Sequence, residues 1–267
     1  MEKTLRDLIE ISKFAAQHPR LVQGGGGNCS VKSSEKRWVK ASGSFLEDIS
    51  ESHGFAIVDA RSGTPLDESR GKASMETPLH TLLGSFVIHT HPVAVAALVS
   101  STEGQRWFRE LFTDDAHVWV EYATPGQKLY EKVKSTLQGR ALSSDWVLFL
   151  KNHGLFISSE SKERVMDLLE KTVSCAEQFF GKPPEKLPEI PADRYLTPDH
   201  VIYGPLGKTG PSPKQTIAVE ETLLLVRQAL GLIAQKGGTP DWLPASETAV
   251  LLGMDEEKYR RKILGNP

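Results

Sequence analysis

The chain has 267 residues, 39% of them hydrophobic and 25% charged, with a formal net charge of −2. That is enough apolar material for one large core, while interspersed acids and bases leave neither the basic excess of a nucleic-acid surface nor a polyelectrolyte tail. No stretch approaches the roughly 20 apolar residues that span a bilayer, and two distant cysteines, Cys29 and Cys175, form no disulfide framework and no CxxC pair, so a reducing, cytoplasmic setting is expected.

Leu5, Leu8 and Ile9 mark one face of an opening helix that stops before Pro19. The first 18 residues mix charges with apolar side chains, which reads as a surface helix rather than a signal peptide. Four successive glycines, Gly24 to Gly27, lead through Asn28 and Cys29 to short strands expected at 30–32 and 37–40. A turn follows at 41–44 and a strand at 55–58. A helix is expected over 76–83, with Leu79, Leu82 and Leu83 on its apolar side and Ser74 as N-cap.

The next segment, 86–91, is a buried-type strand closed by Pro92. Helices are expected at 93–99, 103–112, 127–137 and 162–180, and strands at 117–122, 146–151 and 155–157. The proline-rich stretch 181–191 reads as a surface connector, followed by a long amphipathic helix over 214–235 and short helices near the end. Short strands joined partly by turns and partly by helices predict an α/β chain with a mixed sheet covered by helices. There is no internal repeat. We expect one unit over 1–267, with 181–267 an extension packed on it.

Chemistry concentrates in His89-Thr90-His91. Residues two apart on a strand point the same way, so both imidazoles converge on one point. His153 ends another apolar strand, and Gly154 after it allows close backbone approach. Three imidazoles with an open fourth position suit a catalytic zinc ion. Glu76 opens the helix before this strand and is the candidate acid/base, although a carboxylate at a helix start is also favoured by the helix dipole alone. His80, one turn on, reads as a supporting or structural residue. The glycine run matches neither a Walker A loop nor a dinucleotide fingerprint. It is either a tight loop or a nest of N–H groups for an anion, with Ser42-Gly43 and Ser74 as further small donors.

Gly27-Asn28-Cys29-Ser30, Lys40-Ala41-Ser42-Gly43, Glu76, His89-Thr90-His91 and Asn152-His153-Gly154, in that order, resemble the class II aldolase/adducin family over about 24–180. Within it, 24–30, 38–44 and 76–80 are most similar to the aldolase part of rhamnulose-phosphate aldolase–dehydrogenases. The resemblance implies a three-layer α/β/α fold with a largely antiparallel central sheet, and a homotetramer with sites near subunit interfaces. It implies Zn2+, or another divalent metal, on His89, His91 and His153, with Glu76 as proton shuttle or fourth ligand. It implies a phosphorylated ketose as substrate, with Gly27, Asn28, Ser42, Gly43 and Ser74 on the phosphate, cleaved to dihydroxyacetone phosphate and an aldehyde.

Fuculose-phosphate aldolases carry a tyrosine acid between the second and third metal histidines. Here that interval holds Tyr122 and Tyr130, and Tyr122 aligns with a different family tyrosine, which leaves the acid unassigned. His200, in the extension, is expected at the surface or an interface. Other reactions on the same fold are pentulose-phosphate 4-epimerisation, where aspartate tends to stand at position 76, dehydration, where cysteine does, and decarboxylation. An adducin-like binding module, which lacks the metal ligands, is the non-enzymatic alternative.

Overall fold

The computed structural model describes residues 2–140, 143–206 and 212–255. Its strands are β1 (Asn28–Ser33), β2 (Lys36–Lys40), β3 (Phe55–Asp59), β4 (Pro65–Asp67), β5 (Phe86–Thr90), β6 (His117–Val120), β7 (Trp146–Leu150) and β8 (Gly154–Ser159). They form one eight-stranded sheet in the order β4-β3-β2-β1-β5-β8-β7-β6. All neighbours pair antiparallel except β6 and β7. Connection length explains this pattern. Tight turns join β1 to β2 and β7 to β8, and such turns reverse the chain. β6 reaches β7 through a helix, which permits a parallel crossover.

The helices are α1 (Lys3–Ala16), α2 (Thr77–His80), α3 (Val93–Val99), α4 (Gly104–Leu111), α5 (Gln127–Leu137), α6 (Lys162–Phe180), α7 (Pro198–Tyr203), α8 (Pro213–Gln235) and α9 (Ala245–Gly253). The central strands alternate apolar residues on both faces, as a sheet buried on two sides must. Ile88, Val147, Phe149, Leu155 and Ile157 enter the core built with α1, α3, α4, α6 and α8. Their neighbours Val87, Leu148, Leu150 and Phe156 point the other way, onto Leu79, Leu83, Leu129 and Val133. Each such large apolar side chain contributes about 1.5–3 kcal/mol when fully buried. The result is the expected three-layer α/β/α arrangement, mostly antiparallel.

Residues after α6 build a further cluster in which Val201, Ile202, Tyr203, Ala218, Val219, Leu243 and Leu251 pack with Phe45. Asn152, in the β7–β8 turn with φ 52°, donates its amide to the carbonyls of Leu196 at 3.1 Å and Asp241 at 2.5 Å. The turn that carries His153 is thereby tied to the C-terminal segment.

Three elements differ from expectation, among them the short edge strand β4, which was not foreseen. The helix expected over 76–83 is regular only as α2; beyond it Leu82 N bonds Leu79 O and Leu83 N bonds His80 O, the i→i−3 spacing of a tighter turn. Helix α7 was not foreseen. Its signals are nonetheless present: Thr197 caps it by accepting from His200 N at 3.3 Å, Pro198 stands at its first position and Asp199 lies in its first turn. No helix among the described residues is long and apolar enough to cross a membrane.

Candidate metal centre

Strands β1, β5 and β8 lie side by side, with Asn28 opposite His89, His89 opposite Phe156 and Thr90 opposite Leu155. This register puts His91, just past β5, against the start of β8. The fit requires glycine at 154: a Cβ there would stand 2.6 Å from His91 Cδ2 and 2.6 Å from Thr90 O. His89, His91 and His153 are buried, and one ligand atom from each lies within 4.8 Å of the others.

The hydrogen-bond partners of the rings indicate where their protons lie. His89 Nδ1 lies 3.0 Å from Leu155 O. A carbonyl only accepts, so the proton is on Nδ1. Burial first, and then the neighbouring His91 and His153, hold the pKa of His89 well below the usual histidine value; the ring is neutral and its Nε2 is a lone pair. His91 Nδ1 stands 3.1 Å from Asp199 Oδ2, and a carboxylate likewise favours the proton on Nδ1. The two Nε2 atoms nevertheless face each other at 3.0 Å. A divalent ion shared by the two nitrogens would use both lone pairs.

Spacing favours the metal. Glu76 Oε2 is 3.4 Å from His89 Nε2, and Glu76 Oε1 is 3.4 Å from His153 Nε2. Ligands ~2.0–2.1 Å from a common tetrahedral ion stand ~3.3 Å apart. The two Glu76 contacts match that spacing, and three imidazole nitrogens within 4.8 Å of one another could hold a divalent ion.

Behind Glu76 runs a directed chain of hydrogen bonds. Asn28 Nδ2 donates to Glu76 Oε2 at 2.7 Å, Asn28 Oδ1 accepts from His80 Nε2 at 2.5 Å, and His80 Nδ1 accepts from Ser30 Oγ at 2.8 Å. Ser30 Oγ in turn accepts from an Arg37 guanidinium nitrogen at 2.7 Å. The guanidinium can only donate and the carboxylate only accept, so the protons between them have one consistent direction. Burial, with the Arg37 charge second, holds His80 well below the usual histidine range, which keeps it neutral. Burial also lowers Arg37 to about 10, still charged at neutral pH. His80 thus has the supporting position read from the sequence, one side chain removed from the carboxylate.

Gly27, Asn28, Ser42, Gly43 and Ser74 line one pocket together with Glu76, His91 and His153. In the glycine loop, two of the four glycine N–H groups are engaged within the protein. Gly24 N donates to Glu221 Oε2 at 2.7 Å and Gly26 N to Gln23 O at 2.9 Å. Its carbonyls do the work of holding a cation: Gly25 O and Gly27 O accept from Lys40 Nζ at 2.8 and 2.9 Å. Lys40 lines the same pocket and supplies a positive charge that the sequence reading did not assign. Its signal was a lysine on the buried part of β2, where a charge needs a reason to be.

Asp199 is the other residue that sequence reasoning missed, because it lies outside the recognisable motifs. Its neighbour His200 corrects an expectation. It is buried rather than at the surface, its Nδ1 accepts from Leu196 N at 3.0 Å, and burial lowers its pKa to about 4. The apolar α7–α9 cluster has drawn it inward. Tyr122 donates to Glu247 Oε2 on α9 at 3.1 Å, and burial with that carboxylate raises its pKa, so it is occupied away from the histidines. The Cys29 thiol is pushed up to about 12 by burial, which makes it an inert core residue.

The architecture has known counterparts. The chain is 25% identical over 211 residues, 68% of its length, to the uncharacterized oxidoreductase YuxG of Bacillus subtilis, and it spans only 30% of that relative. The N-terminal class II aldolase domain of a conserved protein from Thermoplasma acidophilum superposes with a TM-score of 0.58 at 24% identity, covering 67% of this chain and 94% of that one. L-fuculose 1-phosphate aldolase superposes with a TM-score of 0.54 at 20% identity, covering 72% and 92%. These identities show the shared fold. The class II aldolase and adducin N-terminal domain family matches residues 6–180, and the chain belongs to that family.

Proposed function

We propose that this protein is a divalent-metal-dependent aldolase, with zinc as its metal, that cleaves a phosphorylated ketose to dihydroxyacetone phosphate and an aldehyde. The observation that carries the reading is the convergence of His89, His91 and His153, whose ligand atoms lie within 4.8 Å of one another, with Glu76 oxygens 3.4 Å from His89 and from His153, beside a pocket that also holds Lys40, Ser42, Gly43 and Ser74. Bound by these ligands, a divalent ion supplies a Lewis acid for the oxygens of the ketose.

The chain's own residues do the rest. Neutral imidazoles leave the charge of the ion undiminished. Glu76, held by Asn28, moves a proton within hydrogen-bond reach of the reacting carbon or oxygen. Lys40, Gly27, Asn28, Ser42, Gly43 and Ser74 bind the phosphate end and fix the scissile bond in place. The reading includes a homotetramer in which a partner subunit supplies the acid for the leaving aldehyde, since Tyr122, engaged by Glu247, is turned to another task. The cytoplasm is the setting that two free cysteines and a phosphorylated metabolite favour.

The test is a panel of phosphorylated ketoses, with released dihydroxyacetone phosphate followed by NADH consumption through glycerol-3-phosphate dehydrogenase. Turnover by the zinc-loaded chain that falls about 10²–10⁴-fold in Glu76→Gln supports the aldolase. Epimerised substrate without release of dihydroxyacetone phosphate would replace it with the epimerase reading. A chain with neither turnover nor bound metal would be a binding module.

A further inference from the structure

We propose that Asp199, on a helix outside the matched family domain, is a positioning residue for the metal centre: it holds His91 in the tautomer and orientation that present Nε2 to the ion. The proposal rests on the metal reading above and adds to it a contribution from the C-terminal segment.

The geometry is specific. Asp199 Oδ2 lies 3.1 Å from His91 Nδ1, with both side chains largely buried, while His91 Nε2 faces His89 Nε2 at 3.0 Å. Leu155 O fixes His89 from behind in the same way. The two rings are thus held by acceptors of different strength, a carbonyl for one and a carboxylate for the other. A carboxylate behind a ligating imidazole fixes the ring and raises its basicity. An acidic residue in the first turn of α7 would also be favoured by the helix dipole. That preference does not explain why the side chain turns into the pocket, whose wall includes Pro198 and Asp199.

A second feature points the same way. A Cβ on Gly26 would stand 2.8 Å from Asp199 Oδ2 and 3.2 Å from His91 Nδ1. The third glycine of the run is therefore the space through which the carboxylate reaches the ring. This assigns a purpose to a glycine whose own N–H is turned to Gln23 O. The loop 24–27, α7 and the end of β5 meet at one contact, although the contact joins the family domain to a segment beyond it.

The experiment measures metal affinity rather than turnover. Zinc is competed against a chromophoric chelator for the full chain, for Asp199→Asn and for Gly26→Ala, and the visible spectrum of the cobalt(II)-loaded forms reports ligand geometry. The expected result is a dissociation constant about 10- to 100-fold weaker in both variants, with a shifted cobalt spectrum and an unchanged melting temperature of the metal-free chain. A merely structural Asp199 would lower that melting temperature and leave the affinity alone, which overturns the proposal. So does zinc affinity within twofold of the parent in both variants, while His153→Ala, run alongside, loses the metal; the metal reading then stands without Asp199. If the parent chain takes up neither zinc nor cobalt, the metal reading fails and the proposal fails with it.

Discussion

His80 offers the sharpest check on how the carboxylate is held. Its two ring nitrogens bond Asn28 Oδ1 at 2.5 Å and Ser30 Oγ at 2.8 Å, and its ring packs edge-on to Phe156 with 5.4 Å between centroids. In His80→Phe the aromatic contact survives, while Asn28 Oδ1 loses its donor and Ser30 Oγ keeps only Arg37. A buried acceptor orphaned in this way costs about 1–3 kcal/mol, so the metal-free chain should be destabilised by about that amount in urea titration. Asn28 is also released to rotate, and Glu76 loses the donor that aims it. We expect turnover of the zinc-loaded variant, assayed below its unfolding transition, to fall about 10- to 100-fold with zinc affinity reduced far less. A variant as stable as the parent within about 0.5 kcal/mol, with unchanged kcat, would refute the directed chain from Arg37 to Glu76.

Three further outcomes follow from the same geometry. Gly154→Ala places a methyl 2.6 Å from the His91 ring, so zinc content measured by elemental mass spectrometry should drop well below stoichiometric while far-UV circular dichroism is retained. His200 is lowered from 6.5 to about 4 by burial: its neutral form stabilises the fold fully above pH 6.5, and that stability is lost as pH falls from 6.5 toward 4, by on the order of 3 kcal/mol at most. His200→Asn should therefore flatten the pH dependence of unfolding across that window by up to about 1.4 kcal/mol per pH unit, and an unchanged slope would show that the ring is solvated. Lys40→Met removes the ammonium held by Gly25 O and Gly27 O; the KM for a phosphorylated ketose should rise at least about tenfold with a smaller change in kcat, and equal effects on phosphorylated and unphosphorylated ketoses would remove Lys40 from the phosphate site.

The parts of this structure that could be read from sequence are those where one local rule decides. The buried-type strand 86–91 and the apolar strands before and after His153 were legible because a sheet buried on both faces needs such runs. Helices α5 and α6 were legible from their periodicity and flanking breakers. What stayed hidden depends on contacts distant in sequence. Asp199 meets His91 across 108 positions, and no local pattern marks it. Lys40 was visible as a motif member, yet its ammonium is explained only once the glycine loop is seen to turn two carbonyls toward it. The helix expected over 76–83 was over-extended because its apolar spacing is real, but the backbone tightens after His80 to bring Leu83 and Gly84 carbonyls to Arg37.

The antiparallel register explains why the ligand set and the fold are hard to separate. In a parallel pair, equivalent strand ends gather at one edge of the sheet, and ligands usually come from loops at that edge. Here β5 runs against both β1 and β8, so the end of one strand lies beside the beginnings of its two neighbours. Asn28 at the start of β1, His89 and His91 at the end of β5, and His153 at the entrance to β8 are therefore brought together by the same ladder of backbone hydrogen bonds that holds the sheet. A one-residue slip of β5 would turn His89 to the opposite face and bring Ile88 or Thr90 to the site, exposing the Ile88 core position as it did so. The hydrophobic pattern that fixes the core therefore also fixes which imidazoles meet. Glu76, Asp199 and Lys40, which lie outside that three-strand ladder, are the residues whose chemistry can be changed without moving it.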